Sequence, residues 1–183
     1  MKTIVIPQFY RGPSGQKGLY NRQEVGLARA FAALGCRAVV LYPAPGAAAP
    51  TVENPCLIDN HLWVGTFAKG VKVVDTRTGA IVKTYQKTDS PRSLIDNSVF
   101  SICRTTTGDI YLGTLFGLLR YNRQSDDFDR IPELNGRFVY DIKEDSGGNL
   151  WLATYANGAY CYDVSARRWK NYVFDAEDER SLP

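Results

Sequence analysis

A mainly β repeat fold is predicted for this chain by three observations. A five-residue phrase occurs three times, as LWVGT at 62–66, IYLGT at 110–114 and LWLAT at 150–154. Its anchor aromatics, Trp63, Tyr111 and Trp151, are separated by 48 and 40 residues. Each anchor is followed 11 or 12 residues later by Asp75, Asn122 or Asp163, and Val99 and Val139 open a strand 12 residues before the second and third anchors. A period of about 40–50 residues with markers in register suits the four-stranded blades of a β-propeller. The fold class that follows is an incomplete β-propeller of about two and a half blades, preceded by a small β-loop-α-β unit.

The N-terminal unit opens with a β-branched run at 3–6, a buried strand. A loop with Gly12, Gly15 and Gly18 spaced three apart follows. Residues 20–34 then place Val25, Ala28, Phe31 and Leu34 on one helical stripe. Asn21 with Glu24 three residues on has the form of a capping box, and Gly35 is placed to end the helix. Residues 37–42 are a second strand. Strand, glycine-rich loop, helix, strand is the opening of a parallel α/β sheet. Such a loop can hold phosphate, because glycines admit the backbone and the helix start presents free N–H groups. It is neither G-x-G-x-x-G nor a Walker loop, so a plain flexible loop is an equal reading.

Residues 43–55, PAPGAAAPTVENP, break the pattern with four prolines and a run of alanines. The division is therefore 1–43, an α/β unit; 44–57, a Pro/Ala-rich junction; and 58–183, repeats that stop mid-array. The junction is either a linker or the seam of a mosaic reading frame, and the second is favoured because neither side is complete. In the second repeat, strands are expected at 99–103, 109–114, 117–122 and 127–131. In the third they fall at 138–143, 149–154, 158–163 and 168–173. The first repeat has strands near 61–66, 70–75 and 81–85. Its opening strand is expected to be poor or missing, because Asn54 and Pro55 occupy that place. Gly108-Asp109, the turn 146–149 and the turn 75–79 supply residues that tolerate positive φ between strands.

Composition narrows the function classes. Apolar content of 44% and charged content of 22% are those of a globular chain. A net charge of +3, scattered along the chain, argues against nucleic acid or anionic membrane as a partner. No run approaches the roughly 20 apolar residues of a membrane span. The start lacks an apolar stretch of the length a secretory signal needs, so the chain as given reads as cytoplasmic. Four cysteines without a Cys-x-x-Cys and a single histidine, His61, disfavour zinc. Cys103 and Cys161 lie in strand patterns as small buried hydrophobes. His61 stands beside a hairpin turn with no obvious partner, and reads as a turn residue. The acidic groups Asp126, Asp127 and Asp129, and those at 175–179, lack calcium-loop spacing and read as solvated turns. No catalytic residue, metal or cofactor is assigned.

Residues 1–43 resemble the N-terminus of bacterial two-Rossmann-domain retaining glycosyltransferases. The resemblance implies that Gly12, Gly15, Gln16, Lys17 and Gly18 would line a cleft for a nucleotide sugar. The second domain of that family is not in this chain, and half a cleft cannot preorganise a transition state. Residues 58–183 resemble two-component regulator propeller repeats. The resemblance is carried by EDSGGNLWLAT at 144–154, GLLRYN at 117–122 and SLIDNSV at 93–99. Ala153 replaces that pattern's glycine and Tyr111 its tryptophan. It implies a periplasmic sensor region of a two-component signalling protein that detects glycan fragments, with ligand sensing and protein interaction rather than catalysis as its role. The alternative is a truncated, inactive glycosyltransferase. Trp63, Tyr111 and Trp151 recur in every repeat and are expected as core spacers. Phe67, Phe116 and Tyr155, after the Gly-Thr or Ala-Thr pair, are the candidates for a carbohydrate-binding edge. Two and a half blades cannot close, so self-association is expected through open blade faces or through 20–34.

Overall fold

The computed structural model describes residues 3–7, 30, 33, 37–41, 52–178 and 181. Strands β1 (Thr3–Pro7) and β2 (Arg37–Leu41) pair in parallel, with Thr3 opposite Arg37. Parallel neighbours require a crossover between them. Of the helix expected over 20–34, Ala30 and Ala33 are described, both helical and exposed. The rest of that helix and the glycine-rich loop lie outside the described residues.

Three four-stranded antiparallel sheets follow in chain order. Blade 1 comprises β3 (Val52–Ile58), β4 (His61–Thr66), β5 (Val71–Asp75) and β6 (Ile81–Tyr85). Blade 2 comprises β7 (Val99–Arg104), β8 (Ile110–Thr114), β9 (Gly117–Asn122) and β10 (Asp127–Ile131). Blade 3 comprises β11 (Val139–Glu144), β12 (Leu150–Thr154), β13 (Ala159–Asp163) and β14 (Arg168–Tyr172). Each is a meander in which neighbours in sequence are neighbours in the sheet. No sheet closes on itself among the described residues.

The expectation of two and a half blades is corrected to three. The opening strand of blade 1 is present as β3. Among the described residues it pairs only with β4, at the edge of its sheet, and its register shifts between Glu53 and Cys56. An edge strand with a bulge has no use for the N–H that Pro55 lacks. The same irregularity recurs between Val99 and Ser101 and between Val139 and Asp141. A bulge in the first strand is thus part of the repeat.

Burial of alternate residues drives the blades together rather than filling each one separately. One cluster joins Trp63, Val71 and Val73 of blade 1 to Val99, Ile110, Leu112 and Phe128 of blade 2. A second joins Leu118 of blade 2 to Val139, Ile142, Leu152 and Tyr160 of blade 3. The glycine of the repeated phrase is fixed by this approach. A Cβ on Gly65 would stand 2.6 Å from the Val99 carbonyl oxygen, and one on Gly113 2.8 Å from that of Val139. Directly opposed residues share a sheet face. The face that blade 1 turns to blade 2 therefore carries the row Trp63, Val73, Lys83. The matching rows are Tyr111, Arg120, Asp129 in blade 2 and Trp151, Cys161, Lys170 in blade 3.

Candidate functional site

The end of the blades where each second strand exits is built by the threonine of the repeated phrase. Thr66, Thr114 and Thr154 donate their hydroxyls to the carbonyls of Gly70, Gly117 and Gly158, at 2.7, 2.8 and 2.6 Å. Gly70 and Gly158 have φ near +74° and +73°, and a Cβ at either would meet a backbone oxygen at 2.0 Å. These clamps turn the chain tightly and leave the side chains just after the threonine facing out. The exit loop of blade 1 is also tied to blade 2. Gly70 N–H donates to the Asn97 carbonyl at 2.7 Å, and Ala68 N–H to the Ser98 hydroxyl at 3.3 Å.

At this end five rings form a continuous run across all three blades. Phe67 meets Phe100 edge-on with centroids 6.2 Å apart. Phe100 meets Phe138 at 4.4 Å and Tyr140 at 6.2 Å. Phe138 meets Tyr155 at 5.9 Å. Phe100 and Tyr140 lie in the register shifts of β7 and β11, where a bulge re-aims a side chain. Phe67 is 54% exposed, Tyr140 58% and Tyr155 71%. Phe100 and Phe138 are half-buried and anchor the run. Contiguous exposed apolar surface of this kind makes this end the candidate for a recognition site.

Two of the three candidates read from the sequence, Phe67 and Tyr155, are thus brought together. Phe116 is 50% exposed at the same end, and its carbonyl accepts from Gly136 N–H at 2.9 Å. It makes no ring contact with the run among the described residues, because the exit turn of blade 2 is shorter. Phe100, Phe138 and Tyr140 were not expected. Their signal was an aromatic next to the buried valine that opens a blade, in Val99-Phe100 and Phe138-Val139-Tyr140. Gly12, Gly15, Gln16, Lys17 and Gly18 lie outside the described residues.

The opposite end, at the hairpin turns, is charged. Asp59 of blade 1 faces Arg123 at 2.5 Å and Arg104 at 3.6 Å, both on blade 2. The Arg123 hydrogen bond holds the Asp59 carboxyl below its ordinary range. Lys83 of blade 1 pairs with Asp126 of blade 2, which also accepts from the hydroxyls of Tyr85 and Tyr121 at 2.5 and 2.7 Å. Burial, and then the Tyr121 hydrogen bond, push the Tyr85 phenol well above its ordinary value. These groups border a cleft of about 460 Å³ floored by Trp63 and Val73. His61 sits on its rim with Nδ1 3.1 Å from the Asp59 carbonyl, a turn contact. Asp127 and Asp129 are both engaged by Arg92. Among the described residues no three metal-ligating side chains converge, and no helix is long and apolar enough to cross a membrane.

The anchors divide. Trp63 is 5% exposed, Tyr111 is half-buried, and Trp151 is 39% exposed. Trp151 stacks on Tyr172 and donates its indole N–H to Asp145 at 2.9 Å. That hydrogen bond, with those from Asn149, lowers the Asp145 carboxyl to about 2.

Residues 133–156, which span the bulged strand β11 and the anchor strand β12, match the model of the two-component regulator propeller. This segment is similar to a two-component regulator propeller repeat. No curated protein matches the chain. Solved structures do. The extracellular domain of a hybrid two-component system from B. thetaiotaomicron is 22% identical over 73% of this chain and 18% of its own, with a TM-score of 0.57. An auxiliary nutrient binding protein from Bacteroides thetaiotaomicron is 13% identical over 69% of this chain and 31% of its own, at 0.51. The virginiamycin B lyase of Staphylococcus aureus is 16% identical over 74% of this chain and 45% of its own, at 0.53. At these identities the likeness is one of fold, that of the propeller. The chain spans less than half the length of each.

Proposed function

We propose that the three blades are a segment of the sensor region of a two-component signalling protein, and that the five-ring run is its ligand-binding rim. The regulator propeller repeat at 133–156 supports the signalling context. The observation that carries the binding role is the exposed aromatic run from Phe67 to Tyr155 across three blades. Such a surface suits a ligand that presents apolar faces along an extended chain. Pyranose rings do so with their C–H faces, which makes glycan fragments the ligand class. A periplasmic location, that of the propeller family, goes with this reading.

The test is calorimetric titration of the whole chain with a panel of oligosaccharides. Removing one exposed ring, as in Phe67→Ala or Tyr155→Ala, should weaken binding by about 1 kcal/mol, roughly fivefold in Kd. Phe116→Ala should leave the affinity unchanged. Binding that ignores both rim substitutions, or no binding to any member of the panel, would overturn the proposal.

A further inference from the structure

A cleft lies between each pair of neighbouring blades, and the two are built from matching positions with different contents. Between blades 1 and 2 the chain fills the place with a carboxylate of its own. Asp126, in a left-handed turn position at φ 56°, accepts from the hydroxyls of Tyr85 and Tyr121 and pairs with Lys83. Asp59 and Arg123 on the border satisfy each other. The charges of that cleft are thus answered within the chain.

The cleft between blades 2 and 3, of about 280 Å³, is not answered in this way. The turn position matching Asp126 is Arg167, φ 50°. Ile131 stands where Tyr85 does, and Tyr162 where Tyr121 does. Arg167 makes no ion pair or side-chain hydrogen bond among the described residues, and the Tyr162 hydroxyl makes no hydrogen bond among them. Glu133, in the 3₁₀ helix Pro132–Leu134 of blade 2, borders the same void and is equally unpaired among the described residues. Both side chains are exposed. The remaining charge, Arg120, is engaged by the Tyr111 hydroxyl and by Asp129 at 3.6 Å. The walls are apolar rings. Tyr162 and Trp169, both half-buried, pack with centroids 5.0 Å apart. Burial, and then the Asp109 charge, raise the Tyr111 phenol, as expected of a floor poor in water.

One base and one acid, each without a partner, therefore border an aromatic-walled void of the size for a single small molecule. An anion would answer Arg167 and oppose Glu133, and a cation would do the reverse. A neutral molecule would take water from both charges and answer neither, which disfavours binding. A free α-amino acid carries an ammonium and a carboxylate on one carbon and answers both with charge-assisted hydrogen bonds. A flat side chain completes the fit to the rings. We infer that the cleft between blades 2 and 3 is a binding site for a free amino acid with an aromatic side chain. Its carboxylate meets Arg167, its ammonium meets Glu133, and its ring lies against Tyr162 and Trp169. The site is separate from the rim and does not depend on what the rim binds.

The experiment is calorimetric titration of the whole chain with L-phenylalanine, phenylacetate and phenethylamine. Phenylacetate lacks the ammonium and phenethylamine lacks the carboxylate. L-Phenylalanine should bind at least about tenfold more tightly than either, the value of one charged hydrogen bond. Glu133→Gln should lower L-phenylalanine to the level of phenylacetate, and Arg167→Gln should lower it to that of phenethylamine. L-Phenylalanine should also slow hydroxyl-radical oxidation of Trp169 in the native chain and leave that of Trp63 unchanged. No binding of L-phenylalanine, equal affinity for the three compounds, or the same affinity in both variants overturns the inference. So does loss of L-phenylalanine binding in Phe67→Ala, which would move the ligand to the rim. The comparison of the three compounds on the native chain, with the Trp169 readout, decides the matter even where a variant fails to fold.

Discussion

The two interfaces between blades occupy the same positions and are held by different chemistry. Between blades 1 and 2, Trp63, Tyr85, Tyr121 and Phe128 form a cluster of mutually packed rings. Around it lie the ionic links Asp59–Arg104, Asp59–Arg123 and Lys83–Asp126. Between blades 2 and 3 the anchor is the smaller Tyr111, Ile131 replaces Tyr85, and no ion pair joins the blades among the described residues. Neutral donors to carboxylates take their place. The Ser101 hydroxyl donates to Asp141 at 3.0 Å, and Thr106 donates its N–H and hydroxyl to Glu144 at 2.7 and 2.9 Å. What the interfaces share is apolar burial at the row of the anchor. The polar fringe differs between them, and it supplies the smaller share of the stability. Half-exposed ion pairs contribute little, whereas loss of a buried aromatic is expensive.

The largest effect should therefore come from the covered anchor. Trp63→Ala should cost about 3–5 kcal/mol in chemical denaturation. Trp151→Ala, the same residue in the same phrase, should cost about 1 kcal/mol, since it loses a stack and a hydrogen bond at an open face. Equal losses would mean that coverage by a neighbour does not set the value of the anchor. Next comes the close approach. Gly113→Ala should lose about 1–3 kcal/mol by pushing the Val139 carbonyl away, and an unchanged midpoint would show that the interface yields without strain. Lys83→Gln should cost less than about 1 kcal/mol. That loss should shrink as salt is raised, while Trp63→Ala should be insensitive to salt.

The smallest and most specific effect is on pH. Asp145 titrates at about 2 in the folded chain against an ordinary value of 3.8. A depressed carboxylate stabilises the fold fully above the ordinary value, and the contribution is lost as pH falls toward 2. Asp59, lowered by Arg123, acts in the same direction at the interface of blades 1 and 2. Asp145→Asn should flatten the acid limb of the melting-temperature profile and leave the neutral limb parallel to that of the native chain. An unchanged acid limb would remove Asp145 as its source.

The strands of blades 2 and 3 were legible because apolar alternation, turn residues and the repeated phrase agree there. The first strand of blade 1 was not, because Asn54 and Pro55 hide a strand whose bulge and edge position remove the need for regular pairing. Phe67 and Tyr155 were legible as the first side chains past a strand exit. Phe100, Phe138 and Tyr140 were not, since they join those rings only when the next blade's inner strand swings alongside. The three anchors were read alike as core. Their local sequences are alike, and among the described residues Trp63 is covered by a neighbouring blade while Trp151 is 39% exposed.

The central claim is that the rim aromatics serve a ligand while the row aromatics serve blade packing. Oxidative footprinting of the whole chain, with and without the oligosaccharide that binds best, reads both sets in one experiment. The account predicts slower oxidation of Phe67, Tyr140 and Tyr155 in the complex, with Trp151 and Tyr172 unchanged. Protection of Trp151 and Tyr172 with the rim unchanged would place the ligand on the packing face and contradict it.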